Sequence, residues 1–153
     1  MRRLLVIGLA AAATSSPAVP LRAQQAIRVR VEPLLAYVPS SLPAGYHYAR
    51  WMEAHSRPRG LTIWFRWRRL RDPGLGFNVA EGCPEFGEPM KTYRFGRVSV
   101  RWSTTYTDAQ AWRCLTRGNR RFYVYVTAPG YGLGAAPPGR SLARVVASAR
   151  PLR

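Results

Sequence analysis

Leu61-Thr62-Ile63-Trp64-Phe65-Arg66-Trp67-Arg68 is the stretch on which the reading of this chain turns. Apolar Leu61, Ile63, Phe65 and Trp67 alternate with Thr62, Trp64, Arg66 and Arg68. A period of two puts the first set on one face of a β-strand and the second on the other. Asp72-Pro73-Gly74 follows as a turn signal, after which Leu75, Phe77 and Val79 resume the alternation. The two segments predict a hairpin with a generous loop.

The same signals recur on either side. Residues 110–115 and 122–127 flank Arg117-Gly118-Asn119-Arg120 and predict a second hairpin. Within residues 94–103, Val98, Val100 and Trp102 oppose Arg97, Ser99 and Arg101. Leu42-Pro43-Ala44-Gly45-Tyr46 reads as a turn feeding a strand over residues 46–51, and residues 56–60 as a polar Pro/Gly loop. Nearer the N-terminus, residues 24–26 read as a flexible start. Ile27-Arg28-Val29-Arg30-Val31 then alternates as a short strand, and Pro33, Pro39 and Pro43 break what comes next. Residues 128–140 hold three Pro and four Gly and predict an irregular loop. Ser141 then caps a helix to about residue 150, with Leu142, Val145, Val146 and Ala149 on one stripe and Pro151 as the stop. The sum is a single α+β domain: an antiparallel sheet of about five to six strands with a C-terminal amphipathic helix packed on one face.

Residues 1–23 read differently. Arg2 and Arg3 precede the apolar run Leu4-Leu5-Val6-Ile7-Gly8-Leu9-Ala10-Ala11-Ala12-Ala13, and small residues with Pro17 and Pro20 follow. This is the pattern of a secretory signal peptide, cut after Ala23 or, alternatively, after Ala18. Ten apolar residues rise about 15 Å as a helix, too short to span a bilayer. Residues 24–153 are then the exported domain, periplasmic or secreted, and no cysteine near either site offers a lipid attachment point. No later run is long enough for a transmembrane segment.

The formal charge is +17, and 23 of the 24 basic residues are Arg. Such a chain adheres to anionic surfaces in a salt-dependent way. Outside the cytoplasm those anions are envelope polymers, lipid headgroups and extracellular nucleic acid. Cys83 and Cys114 are the only cysteines, and an even count in an oxidising compartment predicts one disulfide.

Taken together, the turn at residues 42–46, the later strand with Trp112, the turn at Gly118, the strand with Tyr123 and Tyr125 and the terminal helix resemble a family of extracytoplasmic domains of unknown function. Those domains are associated with anti-sigma regulators and are similar to the periplasmic lipoprotein-carrier fold. The resemblance spans about residues 37–150, and it implies a curved sheet backed by helices.

Three groups of residues could carry chemistry. Trp64, Arg66, Arg68, Arg97, Arg101, Tyr123 and Tyr125 would interleave guanidinium and aromatic groups if their strands were neighbours. Such a face binds anionic polymers by charge and stacking, although cross-strand Arg–aromatic pairs also simply stabilise sheets. Glu81, Glu85 and Glu88 gather carboxylates around Cys83, but their spacing fits no Ca²⁺ loop, and pairing with Arg explains them better. His47, Glu53 and His55 are the only candidates for acid–base catalysis, and His47 lies too far along one strand to share a proton-transfer site with the others. No metal site or cofactor motif is present in the sequence.

The expectation is therefore a non-enzymatic exported domain that binds an anionic or amphipathic envelope component. A small basic hydrolase acting on a polyanion such as RNA, through His47, Glu53 and His55, is the first alternative. A domain that contacts a protein partner through exposed Trp51 or Trp64 is the second.

Overall fold

The computed structural model describes residues 17–68, 74–84, 87–105, 107–129 and 138–153. The alternation at residues 61–68 becomes strand β3, Arg59–Trp67, and its partner across the loop is β4, Leu75–Glu81. They pair antiparallel, with Ile63 opposite Phe77 and Leu61 opposite Val79. Those four side chains point to one side and are buried, which is why the period-two pattern could be read directly. The second hairpin is equally regular: β7, Asp108–Arg117, returns through Gly118-Asn119 into β8, Arg120–Pro129. Gly118 takes a positive φ there, as a two-residue hairpin turn requires.

Three further strands complete a seven-stranded sheet: β2, Tyr46–Ser56; β5, Lys91–Phe95; and β6, Val98–Thr104. The order is β2-β3-β4-β8-β7-β6-β5, antiparallel throughout. The α+β class, antiparallel sheet and C-terminal helix stand, while the strand count exceeds the expected five to six. One turn tighter than expected accounts for the added strand: Gly96, at positive φ, splits residues 94–103 into β5 and β6. Residues 56–60 lengthen strands already expected, through a two-residue turn that lets β2 and β3 pair as far as Ser56 opposite Arg59.

Helix α1 is Leu21–Arg30, where the sequence suggested a flexible start and a strand. Ile27-Arg28-Val29-Arg30-Val31 satisfies two periodicities at once. Ala23, Ile27 and Val31 are also spaced by four, and that set is the one buried, whereas Val29 is 87% exposed. Arg28 and Arg30 occupy the last turn, favourable to the helix dipole.

Helix α2, Gly139–Ala147, starts three residues earlier than expected and ends sooner. Ser141 is inside it rather than capping it, and the preceding residue is Pro138. Gly139 is required by close approach: a Cβ there would lie 2.6 Å from the Trp102 ring. Leu142, Val145 and Val146 are buried, and the helix packs across β6, β7 and β8. Ala149 belongs not to the helix stripe but to β9, Ala149–Pro151, which pairs antiparallel with β1, Tyr37–Pro39. Ser148 joins the two: its Oγ accepts from the backbone N–H groups of Ser40 and Ser41 and donates to the Val145 carbonyl. Capture of the chain by β1, rather than Pro151, therefore ends the helix.

The core lies between the sheet and this helical layer, with Ile27, Leu35, Phe65, Phe77, Val124 and Leu142 among its fully buried side chains. Glu32, just after α1, fastens the layer to the sheet. It accepts hydrogen bonds from the Arg120 guanidinium, which also donates to Glu81 at 2.8 Å, while Arg59 approaches Glu32 to 3.6 Å. The Arg120 hydrogen bond holds the Glu32 carboxyl below its ordinary pKa, against the opposing effect of burial.

Candidate functional site

Strand register fixes the face turned away from the helices. A cross-sheet row runs Thr62, Asn78, Tyr125, Trp112, Arg101, Thr92. The neighbouring row passes from Ala80 through Tyr123 to Cys114, and Trp64 and Arg66 lie further along β3 on the same face. Five of the seven residues expected to share a surface, Trp64, Arg66, Arg101, Tyr123 and Tyr125, are thus brought to it. Arg97 is not, because it stands in the β5–β6 turn. Nor is Arg68, which follows β3 at positive φ and lays its guanidinium over the Trp67 ring, 4.6 Å from the centroid.

The aromatic rings of this face are spent on one another. Tyr123 stacks on Tyr125 at 5.1 Å, Trp51 lies against Trp64 at 5.6 Å, and Trp112 is only 2% exposed. Trp64 Nε1 and Arg66 Nε are likewise covered, so a ligand cannot reach them without rearrangement. The disulfide Cys83–Cys114 crosses the same face, its Cα atoms 5.8 Å apart, and ties the segment after β4 to β7. Beside it is a cup of about 630 Å³ whose lining includes Arg101, Arg113, Arg121, Thr92 and Ser99.

The acid–base candidates do not assemble. His47 faces Arg66 and His55 faces Gly60 in the β2–β3 register, so about 20 Å of strand separates them. His55 Nε2 is 2.8 Å from Thr62 Oγ1, which donates to Asn78 Oδ1 at 2.7 Å. Asn78 is oriented by the bond from its Nδ2 to the Gly76 carbonyl. With the Thr62 proton committed to Asn78, the hydroxyl must accept from His55, so His55 carries its proton on Nε2 and is no base toward Thr62. Of the acidic group, Glu81 is held by Arg120, Glu88 is exposed, and Glu85 lies outside the described residues.

The cleft that sequence reasoning missed is on the opposite side, where α1 meets edge strand β2. It measures about 930 Å³ and opens to solvent. Pro20, Ala23, Leu42, Tyr46 and Tyr48 supply apolar wall, and Arg22, His47 and Arg50 supply its basic side chains. None of the residues lining it is acidic. Among the described residues the ion pairs are those of Glu32 and Glu81, and neither Arg22 nor Arg50 takes part. A β-bulge between Tyr48 and Met52 places Arg50 at positive φ and exposed. Burial raises the pKa of the Tyr46 and Tyr48 hydroxyls, so both stay neutral at physiological pH. No local signal marks this cleft, because its walls come from residues 17–23 and 40–50, one read as leader and the other as a proline-broken connection.

Fold and site together define a disulfide-stapled α+β domain with a basic, partly apolar cleft at the sheet edge. Comparison with protein-family models, with curated proteins and with solved structures finds no match.

Proposed function

We propose that this is an exported, non-enzymatic binding domain whose ligand is an amphipathic anion held in the α1–β2 cleft. The observation that carries the reading is the pairing, in one open cleft, of an aromatic and aliphatic wall with Arg22, Arg50 and His47 and no carboxylate. Its volume suits a single acyl or alkyl chain with its head group. Apolar contact at Leu42, Tyr46 and Tyr48 would desolvate the chain, and the two guanidinium groups would hold the head by charge-assisted hydrogen bonds. The disulfide fits an oxidising compartment, and among the described residues no helix is long and apolar enough to cross a membrane.

The test is calorimetric titration with palmitate, for which binding with a negative heat-capacity change is expected. Arg22→Glu/Arg50→Glu should weaken it by at least ten- to a hundredfold, the loss that a single charged hydrogen bond worth about 1.5–3 kcal/mol would give. Unchanged affinity in that variant would overturn the reading. Retention of RNA in place of palmitate would favour the polyanion alternative.

A further inference from the structure

We infer that this chain is matured by hydrolysis of the Ala18–Val19 peptide bond, and that the cut removes part of the cleft wall and opens it further. The position of the cut rests on packing and on the residues preceding the bond; its effect on binding rests on the function proposed above.

Two bonds in the sequence follow a small residue at a suitable distance from the apolar run, after Ala18 and after Ala23. The packing separates them. Val19 is 1% exposed, and its carbonyl accepts a hydrogen bond from the buried Gln24 amide, Nε2 to O 2.7 Å. The Gln24 backbone N–H bonds to the Pro20 carbonyl at 3.0 Å and so closes the first turn of α1. Cleavage after Ala23 would delete both acceptors, two core side chains (Val19 and Ala23) and the first turn of a ten-residue helix. It would also take Pro20, Arg22 and Ala23 from the cleft. What remained of α1 would be under two turns, too short to hold its place by propensity.

Cleavage after Ala18 spares all of this. Only Pro17 and Ala18 leave the cleft lining, which removes part of its wall and keeps the basic side chains. The recognition chemistry agrees. An export endopeptidase that reads small side chains one and three residues before the cut meets Ala18 and Ser16, whereas a cut after Ala23 presents Leu21 at the outer position. The step consumes one water: the Ala18–Val19 C–N bond breaks, Ala18 leaves as a carboxylate, and Val19 keeps an amine that protonates to an ammonium. That ammonium adds a positive charge next to Pro20, which lines the cleft. The bond is reached while the chain is still unfolded during export, so burial of Val19 in the product does not obstruct it.

The experiment is intact-mass and N-terminal analysis of the full chain expressed with its own leader in an exporting host. The expected product begins at Val19. Ala18→Arg should accumulate precursor, while Leu21→Arg, at a side chain 70% exposed in the fold, should be processed normally. A product beginning at Gln24, an uncut chain, or processing blocked by Leu21→Arg but not by Ala18→Arg would overturn the inference. Palmitate affinities of the Val19-start chain and of the uncut chain read the second part. A gain of threefold or more on cutting is expected. Equal measurable affinities would refute the opening of the cleft while leaving the cut in place. Absence of binding in both would refute the proposed function instead.

Discussion

The two sides of the sheet's edge-to-edge span make opposite use of the same residue types. On the far face, Arg, Trp and Tyr lie in register, but the rings stack on each other and Tyr123 keeps only 8% of its exposure. At the α1–β2 cleft, Tyr46 and Tyr48 sit beside Arg22 and Arg50 around open volume. A row of aromatic and basic side chains is therefore not in itself a binding surface. Whether the neighbouring side chains consume it decides: around β3, β4 and β8 they do, while open volume remains at the edge-strand cleft and, to a lesser extent, in the cup beside the disulfide.

The largest effect that would sharpen this contrast comes from the far face. Cys83→Ser/Cys114→Ser should lower stability by about 3.7 kcal/mol in the chain-entropy picture of a 31-residue separation. Thermal unfolding with and without reductant measures it. Palmitate affinity below the transition should not change, because the staple is remote from the cleft; a parallel loss of binding would break the distinction between the two regions.

Charge reversal gives the next effect. Arg66→Glu/Arg101→Glu on the far face should leave palmitate affinity within about threefold, while Arg22→Glu/Arg50→Glu at the cleft loses tenfold or more. Stability should move by no more than about 0.5 kcal/mol for each of the exposed positions Arg22, Arg50 and Arg101. If the far-face pair proves the more damaging, the two regions have been assigned the wrong way round.

The smallest effect is a pH dependence. The folded pKa of Glu32 is lowered by Arg120, so the stability this carboxylate lends is present above its ordinary value of 4.5. It is lost as pH falls through the lower, folded value. Melting temperatures of the wild type should therefore fall more steeply below about pH 5 than those of Glu32→Gln. Parallel curves would mean that the Glu32–Arg120 contact does not fasten the helical layer to the sheet.

How much of this was legible follows from where the signals are local. Leu61 to Trp67, Leu75 to Val79 and the Gly118-Asn119 turn announce their hairpins because period two and turn chemistry act over a few residues. The same rule put Trp64 with Arg66, and Tyr123 with Tyr125, on outward strand faces, as it did Arg101, but neither their meeting on one face nor their mutual burial, both of which depend on strand order. Helix α1 was hidden because Ile27 and Val31 satisfy both periods. The cleft was hidden because Arg22 and Arg50 meet only after α1 has docked, and no spacing in the chain foretells that.

The central claim, that the cleft takes an amphipathic anion, is tested most directly by alkyl sulfates of increasing chain length. Each buried methylene is worth about 0.8 kcal/mol, so affinity should tighten roughly tenfold for every two carbons until the cleft is filled. Raised salt should weaken every member of the series alike. Affinity independent of chain length, or binding that salt leaves untouched, would contradict the account.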